Sequence, residues 1–334
     1  MCQRRGSVIM IVLWVVAILA IFAVSLGHRA SINLQLVRYQ RDALKAVYLA
    51  RAGLNKSILI LQEDAVDPAS RDYDTQEACG VNLKSRNIQD LFSETWVDGG
   101  GSFKIGQYTS IADFRYGLSD EEGRININGA TNFDNKTLLD ELFKLRDITD
   151  SAKLAETVVN WIDADQEGPD AFKNQKLTAK EELSAALEYF YSQNGLDKQE
   201  AQNKAQEAYN RLRDYITVDS NNKININTAS EEVLKAISRA IAKANARPET
   251  LADGLASRLI GLRSANPFMN QTAIDSLQLS DLQEQGLFDL LKPYLAPKSD
   301  SFRITVTGNS GKISKNIEAV YNRSSKKIVY WRQN

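Results

Sequence analysis

Residues 8–27 read VIMIVLWVVAILAIFAVSLG, twenty positions without a charged side chain. At 1.5 Å per residue, a helix of that length crosses the roughly 30 Å hydrocarbon core of a bilayer. The apolar part of a secretory signal is usually shorter, about 7–15 residues, and ends at a small-residue cleavage site. Ala23, Val24 and Ser25 imitate such a site, but the helical pattern does not stop there. The first proline is Pro68, and Val37, Leu44, Val47, Leu54, Ile58 and Leu61 recur at helical spacing. The pattern predicts one helix of roughly fifty residues, apolar in its first half and amphipathic in its second. Arg4 and Arg5 precede the apolar run and place the N-terminus on the cytoplasmic side, although Arg29 and Arg38 beyond it weaken the asymmetry.

The remaining composition restricts the chemistry. Lys and Arg number 41 against 42 Asp and Glu, a formal net charge of −1, so no overall basic field attracts nucleic acid. The single histidine, His28, sits at the end of the apolar run, which excludes Ser/His/Asp triads and His-based zinc sites from the rest of the chain. Of the two cysteines, Cys2 and Cys79, only Cys79 remains if a short leader is removed, so no disulfide framework forms within a mature chain. Carboxylates, hydroxyls, amines and the backbone are left to do the work.

Beyond the helix, residues 64–97 are polar and irregular, with one short helix expected at 88–94. After Gly99, Gly100 and Gly101, the alternation of Phe103, Ile105, Ile111 and Phe114 predicts strands. The last stretch predicts a three-stranded antiparallel meander: Phe302, Ile304 and Val306 alternate, residues 309–311 turn, Ile317, Ala319 and Tyr321 alternate, and residues 324–326 turn into a final strand at 328–331. Between these strand regions lies a helical segment that repeats. GRININGA at 123–130 recurs as NKININTA at 222–229, each followed by two apolar helices, at 138–145 and 154–162 in one copy and at 233–241 and 251–260 in the other. LRDYITVDS at 212–220 then matches LKPYLAPKS at 291–299. Two modules on one plan account for this better than chance. In the second copy, Thr228, Ala229 and Ser230 with Glu232 form a helix-start signal. The phrase is similar to the opening of helix-hairpin-helix modules, some of which hold DNA phosphate on a Gly-rich turn, but the equivalent turn here, ISRAIAKANARPET, has no glycine.

The leader RRG before Ser7, followed directly by an uncharged helix, resembles the class III leader of type IV pilins and pseudopilins. The resemblance implies cleavage by a prepilin peptidase between Gly6 and Ser7, N-methylation of Ser7, and an apolar helix that survives as an anchor. The fifth mature residue is then Ile11, where pilin-like families usually carry a glutamate that pairs with the terminal amine of a neighbouring subunit. A subunit at the leading tip has no neighbour ahead of it, and a carboxylate unpaired in the membrane is costly. With LARAGLNKSI, SDEEGRININ, VVNWIDADQEGPDAF, ININTASEEVLKAI and the terminal VYWRQ in this order, the chain resembles the minor pseudopilin K family of type II secretion systems over nearly its whole length. Serine at the start of the mature chain departs from the larger apolar residue usual there.

That resemblance implies an α+β, pilin-like fold with a long N-terminal transmembrane and amphipathic helix and an antiparallel sheet. It implies a large inserted all-α domain of two helix-hairpin-helix-like (SAM-like) repeats. The expected division is a leader at 1–6, a transmembrane helix at 7–27, a pilin-like domain from 28–118 and 297–334, and an insert at 119–296 with repeats at about 119–218 and 219–296. The implied role is non-enzymatic: a single-pass bacterial inner-membrane subunit, periplasmic in its bulk, that starts the pseudopilus and sits at its tip. Its implied partners are minor pseudopilins I and J, the major pseudopilin and the prepilin peptidase. Asp163, Asp165, Glu167 and Asp170 in one loop, with Asp120, Glu121 and Glu122 in another, are of the oxygen chemistry that calcium prefers, and the family implies calcium in its helical domain, so Asp163, Asp165, Glu167, Asp170, Asp120 and Glu122 are the candidate ligands. The plain alternative is a solvated acidic loop. An anchored DNA-uptake receptor would need a basic face, for which Lys235, Arg239, Lys243, Arg247, Arg258 and Arg263 are the candidates. A type IV minor pilin is a near neighbour of the leading reading, and a hydrolase has no nucleophile and base pair to support it.

Overall fold

The computed structural model of the chain describes residues 5–75, 91–108, 114–129, 135–163 and 172–334. Cys79, Ile111, Asp165, Glu167, Asp170 and the first part of the helix expected at 88–94 lie outside them. Helix α1 (Arg5–Val66) leads into β1 (Thr95–Trp96), β2 (Ser102–Tyr108), β3 (Phe114–Tyr116) and β4 (Ser119–Asp120). The first helical module follows as β5 (Ile125–Asn126), α2 (Asn135–Leu145), α3 (Ser151–Ile162), α4 (Leu183–Gln193), α5 (Lys198–Leu212) and β6 (Ile216–Thr217). The second is β7 (Ile224–Asn225), α6 (Glu231–Ala244), α7 (Glu249–Ala265), α8 (Gln271–Asp275), α9 (Leu282–Leu291) and β8 (Leu295–Ala296), after which β9 (Ser301–Ser310), β10 (Ile313–Asn322) and β11 (Lys327–Gln333) end the chain.

The 62 residues of α1 form the single helix that the sequence predicts, roughly 93 Å long at 1.5 Å per residue. Its buried face starts at Ala46 and runs through Leu49, Ala50, Gly53, Leu54, Ser57, Ile60 and Leu61 to Asp64, at spacings of three and four. Leu54 and Leu61 lie on this face and Val47 and Ile58 are half-buried, but Val37 and Leu44, expected with them, are exposed. The sheet is the reason. Its β9–β10 turn ends beside Asp42, which a Cβ on Gly311 would approach to 3.2 Å, so no strand covers the helix further toward its start.

Among the described residues the sheet has seven strands in the order β1-β2-β9-β10-β11, with β3 paired to β2 and β4 to β9, all antiparallel. Alternate residues Phe302, Ile304 and Val306 of β9, with Ile317, Ala319 and Tyr321 of β10, turn toward α1 and close a core with Leu49, Leu54, Leu61 and Phe103. The C-terminal meander is thus as predicted. Two glycines set how closely helix and sheet approach. A Cβ on Gly308 would stand 2.1 Å from the Ala46 carbonyl oxygen and 2.5 Å from the Ala50 nitrogen, and one on Gly53 would stand 2.5 Å from Val306 Cγ1.

A separate, larger core belongs to the helical modules, from Ile125 to Leu295. In each module the opening strand pairs in parallel with the closing one, Ile125 with Ile216 and Ile224 with Leu295. The repeated asparagines explain why the phrase ININ recurs. Asn126 and Asn225 each accept from the backbone N–H two residues on, at 2.9 Å. Asn128 clasps Leu177, accepting from its N–H and donating to its carbonyl, both at 2.8 Å, and Asn227 clasps Phe268 in the same way at 2.9 Å. Ser230 caps α6 by accepting from Val233 N–H, as its position predicts.

Replacing Gly308 with alanine should cost about 1–3 kcal/mol, because the clash is with helix backbone that cannot rotate away. Gly261→Ala in α7, where nothing lies within 4 Å of the added carbon, should be neutral or stabilise by up to about 1 kcal/mol. Urea unfolding of the two variants checks both signs.

Candidate functional site

Two regions carry the sequence-derived candidates: the free part of α1 and the acidic segment between sheet and modules. Gly6 and Ser7 lie in the first turn of α1, and Ile11 stands on it 63 % exposed. Large apolar side chains are exposed all round from Ile9 to Leu26, a segment long and apolar enough to cross a membrane. Exposure continues past that length at Ile32, Leu34, Leu36, Val37, Tyr39, Leu44 and Tyr48. Apolar surface on that scale needs lipid or protein around it.

The acidic segment SDEEG has a different role from a ligand loop. Asp120 Oδ1 accepts from the Glu122 N–H at 2.7 Å. Asp120 Oδ2 accepts from Thr228 at 2.5 Å, Ser299 at 2.6 Å and the Asn225 amide at 3.2 Å. Glu121 is wholly buried, bonded by Arg303 Nε at 2.8 Å, by Arg124 and by the Thr217 hydroxyl. Its main-chain N–H donates to Ser301 and the Glu122 carbonyl accepts from Asn225 N–H. Three consecutive acids therefore join β9, the end of the first module and the start of the second. A second buried knot ties Asp64 of α1 and Asp74 to Arg323 at 2.5 and 2.9 Å, with Asp74 also accepting from Ser299 N–H at 2.7 Å.

The electrostatics divide these acids. Burial would raise the Glu121 carboxyl, but Arg124 and Arg303 outweigh it and hold it well below the usual range. Burial followed by the charge of Asp120 pushes Glu122 up to about 8. The Asp300 amide lies close enough to pull it down a little, yet neither Glu122 oxygen is in a hydrogen bond of normal geometry. Burial likewise takes Asp74 to about 8 against the pull of Arg323.

Among the described residues no three acids could hold a metal ion together, so Asp120, Glu122 and Asp163 do not form one site. Asp163 is exposed at the end of α3, at the base of its loop. That base is closed by the Asn174 N–H donating to the Trp161 carbonyl at 3.0 Å and by Trp161 and Phe172, whose ring centres are 5.8 Å apart. The six basic residues weighed for a DNA face are spent within the insert. Lys235 pairs with Glu231 at 2.6 Å, Arg239 with Asp253 at 2.7 Å, Lys243 with Asp140 at 3.1 Å and Arg258 with Glu284 at 2.6 Å. Arg247 donates to the Gln283 carbonyl, and Arg263 to those of Ile226 and Ala229.

A long apolar helix laid on an antiparallel sheet, with a helical domain between the sheet's strands, defines a pilin-like α+β fold. No protein-family model and no curated protein matches the chain. Its fold is similar to that of a chain in the crystal structure of the GspK-GspI-GspJ complex from the enterotoxigenic Escherichia coli type 2 secretion system, with a TM-score of 0.60 and 13 % identity, covering 89 % of this chain and 99 % of that one. At that identity the likeness is one of fold.

Glu122 keeps a proton that an unfolded chain releases near the ordinary carboxyl value, about 4. Between there and pH about 8 the folded state binds the extra proton, so stability should fall as pH rises, by on the order of a few kcal/mol. Glu121 has the opposite sign, and its contribution is lost only in acid. Urea unfolding across this range should show the fall, and Glu122→Gln should flatten it.

Proposed function

We propose that the chain is a minor pseudopilin of a type II secretion system, anchored in the bacterial inner membrane with its bulk in the periplasm, and that it starts the pseudopilus and occupies its tip. The observation that carries this is α1: one unbroken helix from the basic leader through an uncharged span into the sheet core, with Ile11 at the position where a pilin-like subunit usually carries glutamate. The fold likeness to a chain of the GspK-GspI-GspJ complex supports it, and by analogy the partners are minor pseudopilins I and J. The apolar surface that α1 exposes beyond membrane length suits packing against sister helices, those of the major pseudopilin included. Only a structural role is assigned; no reaction is proposed.

Prepilin peptidase is proposed to cut between Gly6 and Ser7, with methylation of the new amine. Intact mass of the membrane-extracted protein should give a chain starting at Ser7 in cells with the peptidase and the full precursor in cells without it. Gly6→Leu should leave the precursor uncut and stop secretion, and co-purification of the mature chain with its two proposed partners should depend on cleavage. A mature chain starting near residue 26 would overturn the reading.

Calcium is proposed for the 163–170 loop alone, on Asp163, Asp165, Glu167 and Asp170. Asp163 caps the C-terminal end of α3, where a carboxylate faces the negative end of the helix, and a cation relieves that opposition. Adding calcium to chelator-treated protein should raise its melting temperature by several degrees, an effect that Asp163→Asn with Asp165→Asn should abolish.

A further inference from the structure

The sheet ends at β11, which pairs with β10 and with no further strand among the described residues. The C-terminus shows which of its main-chain groups face outward. Asn334 and Asn316 exchange both main-chain hydrogen bonds, at 3.0 and 3.2 Å. Hydrogen-bonded pairs alternate along an antiparallel ladder, so Arg332 opposite Glu318 and Tyr330 opposite Val320 also turn their main chain toward β10. Trp331 and Gln333 between them turn N–H and C=O away from it, which leaves four groups on an open edge. The strand is held in place at both faces of this stretch: the Arg303 guanidinium lies 5.4 Å from the centre of the Tyr330 ring, and Asn334 is bonded to β10. A strand already ordered pays little further entropy when another joins it.

The side chains along this edge are apolar and open. Ile328 and Trp331 stand opposite Tyr321 and Ala319, on the face turned toward α1, yet each is 42 % exposed, and Val329 is 53 % exposed. Helix α1 packs on β2, β9 and β10 and leaves them uncovered. The register slip opposite Val320 and Tyr321, with Lys326 and Lys327, guards the first half of the strand as edges usually are guarded. Beyond it only Arg332 does so. Charge points to the occupant. After Glu318 the chain carries no acid, and Arg323 is spent on Asp64 and Asp74, so Lys326, Lys327 and Arg332 set the sign of the edge. Of the acids acting on Tyr330, Glu318 is bonded to Arg303 at 2.6 Å, which leaves Glu181. The β11 strand of a second copy would set cations against cations.

We propose that β11 receives an extended acidic segment of another protein, added to the sheet as a further strand beside Trp331 and Gln333. The main chain of that segment bonds to the four outward groups, and its apolar side chains rest on Trp331 and Ile328. Its carboxylates meet Arg332 at one end and Lys326 and Lys327 at the other. Lys327 and Arg332 lie about 16 Å apart along an extended strand, so a segment of roughly six residues with acids at both ends spans them. The site concerns the sheet edge and not α1, so it stands apart from the assembly role proposed above.

Full-length protein in uncharged detergent micelles tests this with a labelled peptide, Glu-Glu-Val-Thr-Val-Glu-Glu blocked at both termini, and a counterpart with lysine in place of each glutamate. Fluorescence anisotropy should show saturable binding of the acidic peptide, about tenfold or more tighter than that of the lysine peptide. Hydrogen exchange in the fragment 327–334 should slow when the acidic peptide is added. Gln333→Pro removes one outward N–H while the bonds of Arg332 and Asn334 to β10 remain, and it should weaken binding about tenfold. Gln333→Ala should leave binding unchanged, and Arg332→Glu should narrow the preference between the two peptides. Circular dichroism confirms that each variant folds. No binding of the acidic peptide, no slowing at 327–334, or undiminished binding by the proline variant would overturn the proposal. Self-association of the chain that Gln333→Pro abolishes would overturn the acidic partner in favour of a second copy.

Discussion

The buried acids at 120–122 hold the molecule together, because each faces a different part of it. Asp120 reaches the second module and the 297–300 connection, Glu121 reaches β9 and the end of the first module, and the Glu122 main chain pairs with β7. A sheet with its own core and a pair of helical modules with another have little apolar surface to bind them together. Charged hydrogen bonds take that task. They fix direction and register in a way an apolar contact does not, since every donor must find its acceptor or remain unpaired in a poorly solvated place. Arg323, holding Asp64 and Asp74, does the same for the end of α1.

This joint also shows why part of the molecule could be read from sequence and part could not. The helix, the C-terminal meander and the repeat were legible because each leaves a local trace: period 3.6, period 2, and asparagines required twice for the same clasp. The end of the helix's buried face was not. Val37 and Leu44 carry the spacing of a buried stripe, but what covers α1 is decided by where β9 and β10 turn, more than 260 residues away in sequence. The acids of SDEEG were misleading for a related reason. Carboxylates close together in sequence suit a cation, but here Arg303, Thr228 and Ser299 supply the compensating donors, and nothing local announces them.

The two halves of α1 answer to opposite demands, and this bears on how such a subunit can work. From Ala46 onward the helix lies on the sheet, with Gly308 and Gly53 letting strand and helix approach so closely that a Cβ at either position would collide. Before Asp42 its large apolar residues are exposed, open to lipid or to other helices. Helix packing within a membrane draws little from the hydrophobic effect, because lipid is as apolar as leucine, so close fit and matched polar groups decide which helices associate. On the proposed cleavage after Gly6, Ile11 makes the fifth position uncharged. Ile11 adds no carboxylate that would need a partner at that depth, so the anchor can stand in the bilayer before any other subunit arrives. Under the proposed role, such an anchor suits the first piece in place, with later subunits packing against the apolar surface it leaves open.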